Sequence, residues 1–395
     1  MPKMLIIFFT VLIDLIGFGI VIPLLPFYAE LPQFNASPTQ IGLLMAIYSL
    51  GQFLFSPLWG AISDRVGRRP VLLVSTALGT LSVALFASAT SLWMLFLARG
   101  LHGIFAANIS AAQAYMADIT SHEDRAKGMG LIGAGFALGF TIGPYIGGEL
   151  STVSYTTPIW IAAALSAINF LLILTILPES RNPEQISERP PRPLNPLTML
   201  EVLRMPAVGL IILLTFISTY SFSTMTSSFA LYEELMNNMG PQSIGRLFAM
   251  IGVIGIVVQG GLIGRLSKLF GEGALIRVGV VCVGAGILAI PVVSPGLESV
   301  SASSLGAVCA IIALFNGITQ PSIFSLISKR TSPADQGLVM GTNHSISALA
   351  RTISPAIALA LFDFIHPSVP FILGGGMLMS GGVVAWLATR ATATT

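Results

Sequence analysis

Charge is what this sequence lacks most. Lys, Arg, Asp and Glu together make up 9% of 395 residues, where a soluble domain carries about 25%. So few charges cannot cover a water-facing fold, and a soluble globular class is set aside. The formal net charge is only +2 and the basic residues are dispersed, which excludes the basic patch that nucleic-acid binding needs. Cysteine is nearly missing: Cys282 and Cys309 sit in separate apolar runs, so neither a disulfide framework nor a zinc site is expected. No G-x-x-x-x-G-K-[ST] phosphate loop occurs, and the Gly17-Phe18-Gly19 stretch lacks the third glycine of a dinucleotide loop. Chemical fuel and cofactors are therefore not expected.

Apolar residues are abundant instead, at 54% with a mean hydropathy of +0.85. They fall into runs long enough to cross a bilayer. The runs lie at about 5–27, 40–62, 70–89, 92–117, 128–152, 157–177, 206–232, 244–266, 274–293, 303–328, 337–362 and 368–389. They predict an all-α membrane protein with twelve transmembrane helices. The first run is too long for a typical signal-peptide core and lacks a clear small-residue cleavage site, so it reads as a retained span.

Lys and Arg orient the chain. With both termini cytoplasmic, Lys3, Arg65, Arg68, Arg69, Arg125, Lys127, Lys329, Arg330 and Arg390 all fall inside, while Arg246 alone falls outside. Outer connections instead carry Glu30, Glu149, Glu233, Glu234, Glu298 and Asp363. The longest inner connection, 179–205, is rich in Pro and charge and cannot pack as a span. It divides the chain into an N-terminal six-helix bundle, 1–178, and a C-terminal one, 206–395. The halves look related. Gly60, Arg65 and Arg68 find counterparts in Gly260, Arg265 and Lys268, and Gly143-Pro144 finds one in Ser354-Pro355. Two related bundles around a midplane site are the architecture of a secondary transporter.

One acid lies well inside a span. Asp14 is roughly 15 Å from either end of the first run at 1.5 Å per residue. A charge at that depth costs on the order of 2.5–3.5 kcal/mol, so it needs a partner, water or a proton. It reads either as a group facing an internal cavity or as a structural carboxylate braced by an Arg. Arg99, Gly103, Ala106, Ser110 and Gln113 follow helical spacing along span four, and Tyr48 and Gln52 share a face of span two. Arg99 can pair with Asp14 or with a substrate carboxylate, and His102 can relay a proton or simply pack. In the C-terminal half Gln259, Asn316, Gln320, His344 and Arg351 are candidate cavity residues. Span seven crowds Tyr220, Ser221, Ser223, Thr224 and Thr226, too many for one face.

Four patterns then carry a resemblance. They are Asp14-x-x-Gly17-x-Gly19-x-x-x-Pro23-x-x-Pro26; Gly60-x-x-Ser63-Asp64-Arg65-x-Gly67-Arg68-Arg69; Arg99-x-x-x-Gly103 continuing to AYMADIT at 114–120; and Gly130, Gly139, Gly143, Pro144, Gly147 and Gly148 in span five. Together they resemble the major facilitator superfamily, and within it the twelve-span proton-coupled drug exporters of the tetracycline-efflux-like group. Two departures stand out: His102 replaces the Gln often found three residues after the span-four Arg, and 278–293 lacks the acidic residue usual in the tetracycline subgroup.

The resemblance implies two pseudo-symmetric six-helix bundles, alternating access and export of small amphipathic compounds in exchange for protons. Uptake of a sugar or organic anion is the rival expectation. Asp14 is then expected to bind proton or substrate with Arg99 as its electrostatic partner. Gly60, Asp64, Arg65, Gly67, Arg68 and Arg69 would form an inner-gate latch, and the span-five glycines with Pro144 a packing hinge. The expected partners are a small-molecule substrate, protons and the bilayer. The expected assembly is a monomer in the cell inner membrane, without enzymatic activity.

Overall fold

The computed structural model describes residues 3–106, 109–121, 124–180, 201–295, 302–332 and 335–390. Most of the expected linker, 181–200, therefore lies outside the described residues. Helices account for all regular structure among those that are described. They are α1 (Lys3–Ala29), α2 (Pro38–Val66), α3 (Arg68–Ala87), α4 (Leu92–Phe105), α5 (Ile109–Ile119), α6 (Arg125–Leu150) and α7 (Thr157–Ile176) in the first half of the sequence. There follow α8 (Pro206–Asn237), α9 (Pro241–Val257), a π-helical segment (Val258–Leu262), α10 (Ile263–Val293), α11 (Ala302–Lys329), α12 (Gln336–Phe364) and α13 (Val369–Arg390).

Among the described residues, eleven helical stretches are long and apolar enough to span a membrane. One of them, Pro241–Val293, runs to 53 residues, about twice what a bilayer needs. Within it Gly271 adopts φ 71°, ψ 153°, which breaks the helix. This stretch therefore supplies spans eight and nine, and the expected twelve are recovered. Large apolar side chains also face outward: Leu81 is 64% exposed and Val383 64%. Such surfaces suit lipid contact rather than water, and the chain is a multi-pass membrane protein.

Local chemistry sets several helix ends. Proline opens α7, α8 and α9, where its missing N–H costs nothing. Asn238 takes the left-handed conformation after α8 and donates its N–H to the Glu233 and Glu234 carbonyls, closing the helix. Glu233 was expected in an outer loop. It lies instead in the last turns of α8, fully buried, accepting from Ser294 at 2.8 Å and from Asn237.

The helices form two compact units. Unit one takes in Met1–Ser37, Leu43–Leu194 and Pro241–Ala249, and unit two Pro38–Gly42, Asn195–Gly240 and Met250–Thr395. In unit one α1 packs against α6 and α7, and α3 against α4 and α7. In unit two α8 packs against α12 and α13, and α10 against α11 and α13. Counted by spans, this is one pairing scheme used twice. The core of unit one draws on α1, α3, α5, α6 and α7 through Ile7, Val11, Leu72, Tyr115, Met116, Ile132 and Ile173.

The sequence register between the halves is corrected at the turn. Gly60 and Gly260 seemed to correspond, but the chain turns at Gly67, with φ 100°, and at Gly271, with φ 71°. Aligning these two glycines sets Gly60 against Gly264, Asp64 against Lys268 and Arg68 against Glu272. Left-handed backbone selects glycine, so the turn is a firmer guide than the charge pattern around it.

In unit one α1 and α6 cross at close backbone range. A Cβ placed on Gly19 would meet the Gly139 carbonyl at 2.8 Å and the Gly143 Cα at 3.1 Å. One on Gly143 would meet the Gly19 Cα and the Ile16 carbonyl, both at 2.7 Å. Gly139 and Gly147 likewise face the α1 backbone, whereas Gly130 has open space. Gly143→Val should therefore lower stability by about 1–3 kcal/mol through overpacking, read as an earlier thermal unfolding midpoint in detergent. Gly130→Ala should leave it unchanged; equal behaviour of the two variants would remove the crossing as a stabilising contact.

Candidate functional site

Asp14 sits on the half-exposed side of α1, beside α7. Its Oδ1 accepts a hydrogen bond of 2.8 Å from Asn169 Nδ2. The same amide nitrogen donates to the Thr10 carbonyl at 3.1 Å. Asn169 is fully buried on α7, and its Oδ1 has no partner. Sequence reasoning missed this residue because it lies in a run of apolar neighbours, INFLLIL. The usable signal was that an amide inside a span must face protein rather than lipid.

Arg99 was expected beside Asp14. The structure gives it other surroundings on α4. Its guanidinium lies 4.3 Å from the centre of the Tyr48 ring and 6.0 Å from that of Phe86. Its Nε donates to the Leu44 carbonyl at 3.5 Å. The residue is 5% exposed. A guanidinium over an aromatic face is stabilised by the ring quadrupole, and more so when water is excluded. Arg99 is thus a brace between α4 and α2.

Tyr48 is the centre of an aromatic cluster. Phe18 of α1 stacks on it at 5.0 Å, and His102 of α4 tilts against it at 5.2 Å. Phe140 of α6 meets Phe18 edge to face at 5.6 Å. Phe18 stands one helical turn beyond Asp14, so carboxyl and ring share a face of α1. Gln52 donates to the Tyr48 hydroxyl at 3.1 Å and to the Ala106 carbonyl at 3.4 Å. Phe18 and Phe140 were not singled out from sequence; their positions relative to Asp14 and the span-five glycines were the available clue.

Span four is described as α4, up to Phe105, and α5, from Ile109. Two carbonyls near the end of α4 accept from side chains of α2: Trp59 donates to Ile104 at 2.7 Å and Gln52 to Ala106. Ser110 donates to the Ser56 carbonyl at 3.0 Å, and Gln113 is half-buried on α5.

At the turn between α2 and α3, several of the residues expected to form a latch make a network. Arg68 is buried and pairs with Asp64 at 2.6 Å and with Asp118 of α5 at 3.0 Å; it also donates to Ser63 at 2.6 Å. Glu179 was not anticipated. Its two oxygens accept the backbone N–H groups of Arg68 and Arg69, each at 3.0 Å, at the start of α3. A carboxylate there complements the helix dipole. Gly60 is half-buried on α2, and Arg65 is exposed. At the far end of α6 a Cβ on Gly148 would meet the Pro241 carbonyl at 2.8 Å.

In unit two the candidates scatter. Gln259 is exposed in the π-helical segment, a form enriched at functional sites. Asn316 and Gln320 are half-buried on α11, and His344 and Arg351 exposed on α12. His344 tilts against Phe324 at 5.8 Å. The polar crowd of span seven separates into two sets. Ser218, Ser221, Thr224 and Ser228 are buried, whereas Tyr220, Ser223 and Thr226 are half-buried. Around the Gly271 turn, Glu272 pairs with Lys329 and accepts from Ser267 at 3.0 Å and Ser325 at 3.2 Å.

Comparison with known proteins adds the following. The model described as Major Facilitator Superfamily matches residues 7–355. The chain is 31% identical over 358 residues to the tetracycline resistance protein, class C, of Escherichia coli, covering 89% of this chain and 88% of that protein. It is 27% identical over 377 residues to multidrug resistance protein 2 of Bacillus subtilis, covering 94% and 91%. Among solved structures, that of a human organic anion transporter is 25% identical with a TM-score of 0.71, covering 98% of this chain and 100% of that one.

The turn network makes a measurable distinction. Glu179→Ala should cost about 1–2 kcal/mol by uncapping α3, seen as a lower thermal unfolding midpoint. Asp64→Ala should cost about 0–1 kcal/mol, because Asp64 is half exposed and its pairing is screened by solvent. The reverse order would show that the ion pair, rather than the cap, holds the turn.

Proposed function

Because the chain belongs to the Major Facilitator Superfamily, we propose that it exports small amphipathic compounds in exchange for protons by alternating access. It acts as a monomer in the cell inner membrane, with both termini cytoplasmic and without enzymatic chemistry or a cofactor. The N-terminal bundle 1–178 and the C-terminal bundle 206–395 are the moving parts, joined by the linker 179–205. The relatives named for tetracycline and multidrug resistance support the substrate class.

The observation that carries the proton-coupled reading is the setting of Asp14. It is a partly exposed carboxyl within a span, hydrogen-bonded to an amide and one turn from the Phe18–Tyr48 shelf. A carboxyl is the simplest group that can load and release a proton near neutral pH when its surroundings change. The aromatic shelf offers flat apolar area for a ligand. Proton and substrate then bind within reach of one another on α1, so occupancy of one can bias the other. Arg99 serves this site by holding Tyr48 in place, and His102 completes the shelf. The glycine crossing gives α1 and α6 a common surface on which the bundle can rock, and the Arg68 network acts as the inner latch.

Uptake of an organic anion is the rival, and Arg351, exposed on α12, is its best support. Arg99 does not add to it, since that guanidinium is already covered by Tyr48. Purified protein in vesicles separates the two. Asp14→Asn should abolish accumulation of tetracycline or ethidium driven by an imposed pH gradient, while leaving gradient-free counterflow within about twofold, as expected of a change confined to the coupling step. Undiminished gradient-driven transport in this variant would take Asp14 out of the mechanism, and flux of organic anions alone would favour the rival.

A further inference from the structure

Asn169 presents a problem of hydrogen-bond accounting. It is fully buried, yet one of its two polar atoms, Oδ1, has no partner. A buried polar atom left unpaired is costly, so it calls for an explanation. Its Nδ2 is fully used, on Asp14 Oδ1 and the Thr10 carbonyl. The orientation seen suits an ionised Asp14, which only accepts. When Asp14 carries a proton, its hydroxyl becomes a donor and needs an acceptor. Asn169 Oδ1 is a buried acceptor with capacity to spare, on the side chain that already touches Asp14.

No charged side chain competes for this role on the neighbouring helix. α7 carries no titratable residue. α5 carries Tyr115, which donates to the Pro178 carbonyl, and Asp118, which pairs with Arg68. α6 carries Arg125 and Lys127 in its first turn, and Tyr145 and Glu149 towards its other end, with Glu149 paired to Arg246. These helices pack on α1, and α2 also meets it through Tyr48, which stacks on Phe18 and whose hydroxyl accepts from Gln52.

We propose that Asn169 is a positioning residue for Asp14 that pairs with it in both protonation states. It donates through Nδ2 to the carboxylate and accepts at Oδ1 from the carboxylic acid, after a turn of the amide about its Cβ–Cγ bond. Only the Asp14 O–H bond forms and breaks. The proton comes from the aqueous phase on one side and returns to the aqueous phase on the other. A side-chain amide offers a strong donor and a strong acceptor on separate atoms without carrying charge or titrating itself, so it can partner the carboxyl in either state. The inference rests on the reading of Asp14 as the proton site.

Infrared difference spectra of the purified full chain between alkaline and acidic pH test it without a substrate. The parent should show a protonated-carboxyl band and, in the same step, a change in a side-chain amide carbonyl band. Asp14→Asn should remove both. Asn169→Leu should keep the carboxyl band, move it to higher wavenumber as the hydrogen bond is lost, and remove the amide change. Where Asn169→Leu does not yield folded protein, Asn169→Ser, too short to bridge, serves for the same comparison. A carboxyl band lost in Asp14→Asn but unmoved in both Asn169 variants overturns the role of Asn169 and leaves Asp14 as the proton site. A band that survives Asp14→Asn overturns the Asp14 reading and this inference with it.

Discussion

The contact on which unit one depends is the backbone crossing of α1 and α6. Two helices normally keep about 8–10 Å between axes because side chains intervene. Glycines at Gly19, Gly139, Gly143 and Gly147 remove those side chains where the helices meet. In lipid no hydrophobic drive pushes helices together, so close van der Waals contact has to supply the association. The crossing also fixes the rotation of α1. With Gly19 turned into α6, Leu15 goes to the core, and Asp14 is left on the half-exposed side beside Asn169. Packing and chemistry are therefore set by the same few residues.

Much of the architecture was legible in the sequence because the bilayer enforces it. A run of about twenty apolar residues has few alternatives to a spanning helix. What stayed hidden was the backbone detail inside the runs. The π-helical segment Val258–Leu262, which holds Gln259, leaves no trace in composition. Hydropathy is equally silent on Trp59 and Gln52 of α2 reaching the Ile104 and Ala106 carbonyls.

The candidate site was legible by residue type and not by partnership. Asp14 stood out because a lone carboxylate in a span is expensive. Its expected partner was chosen by charge, and the structure chose by reach. Arg99 has its cation satisfied by the Tyr48 ring and a backbone carbonyl, whereas Asn169 faces the carboxyl directly. Spacing along one helix predicts a face, but only packing decides which face meets which. Phe18 shows the same limit: an aromatic in a span looks like filler until Tyr48 is found stacked on it.

The glycine turns of the two units are built alike. Each turns at a glycine in left-handed conformation, and each sets a charged residue directly after it. In unit one that residue is Arg68, held by Asp118 and Ser63; in unit two it is Glu272, held by Lys329, Ser267 and Ser325. The sign of every charge in the pairing is reversed, while the backbone device and the serine at the matching position, Ser63 or Ser267, persist. A register drawn from like charges consequently aligned the wrong residues. A turn at the membrane edge requires φ that only glycine adopts freely and requires its adjoining charge to be neutralised. Neither requirement specifies which partner is the cation. The repeated feature is thus a compensated turn, and the polarity of the compensation is free to differ between the halves.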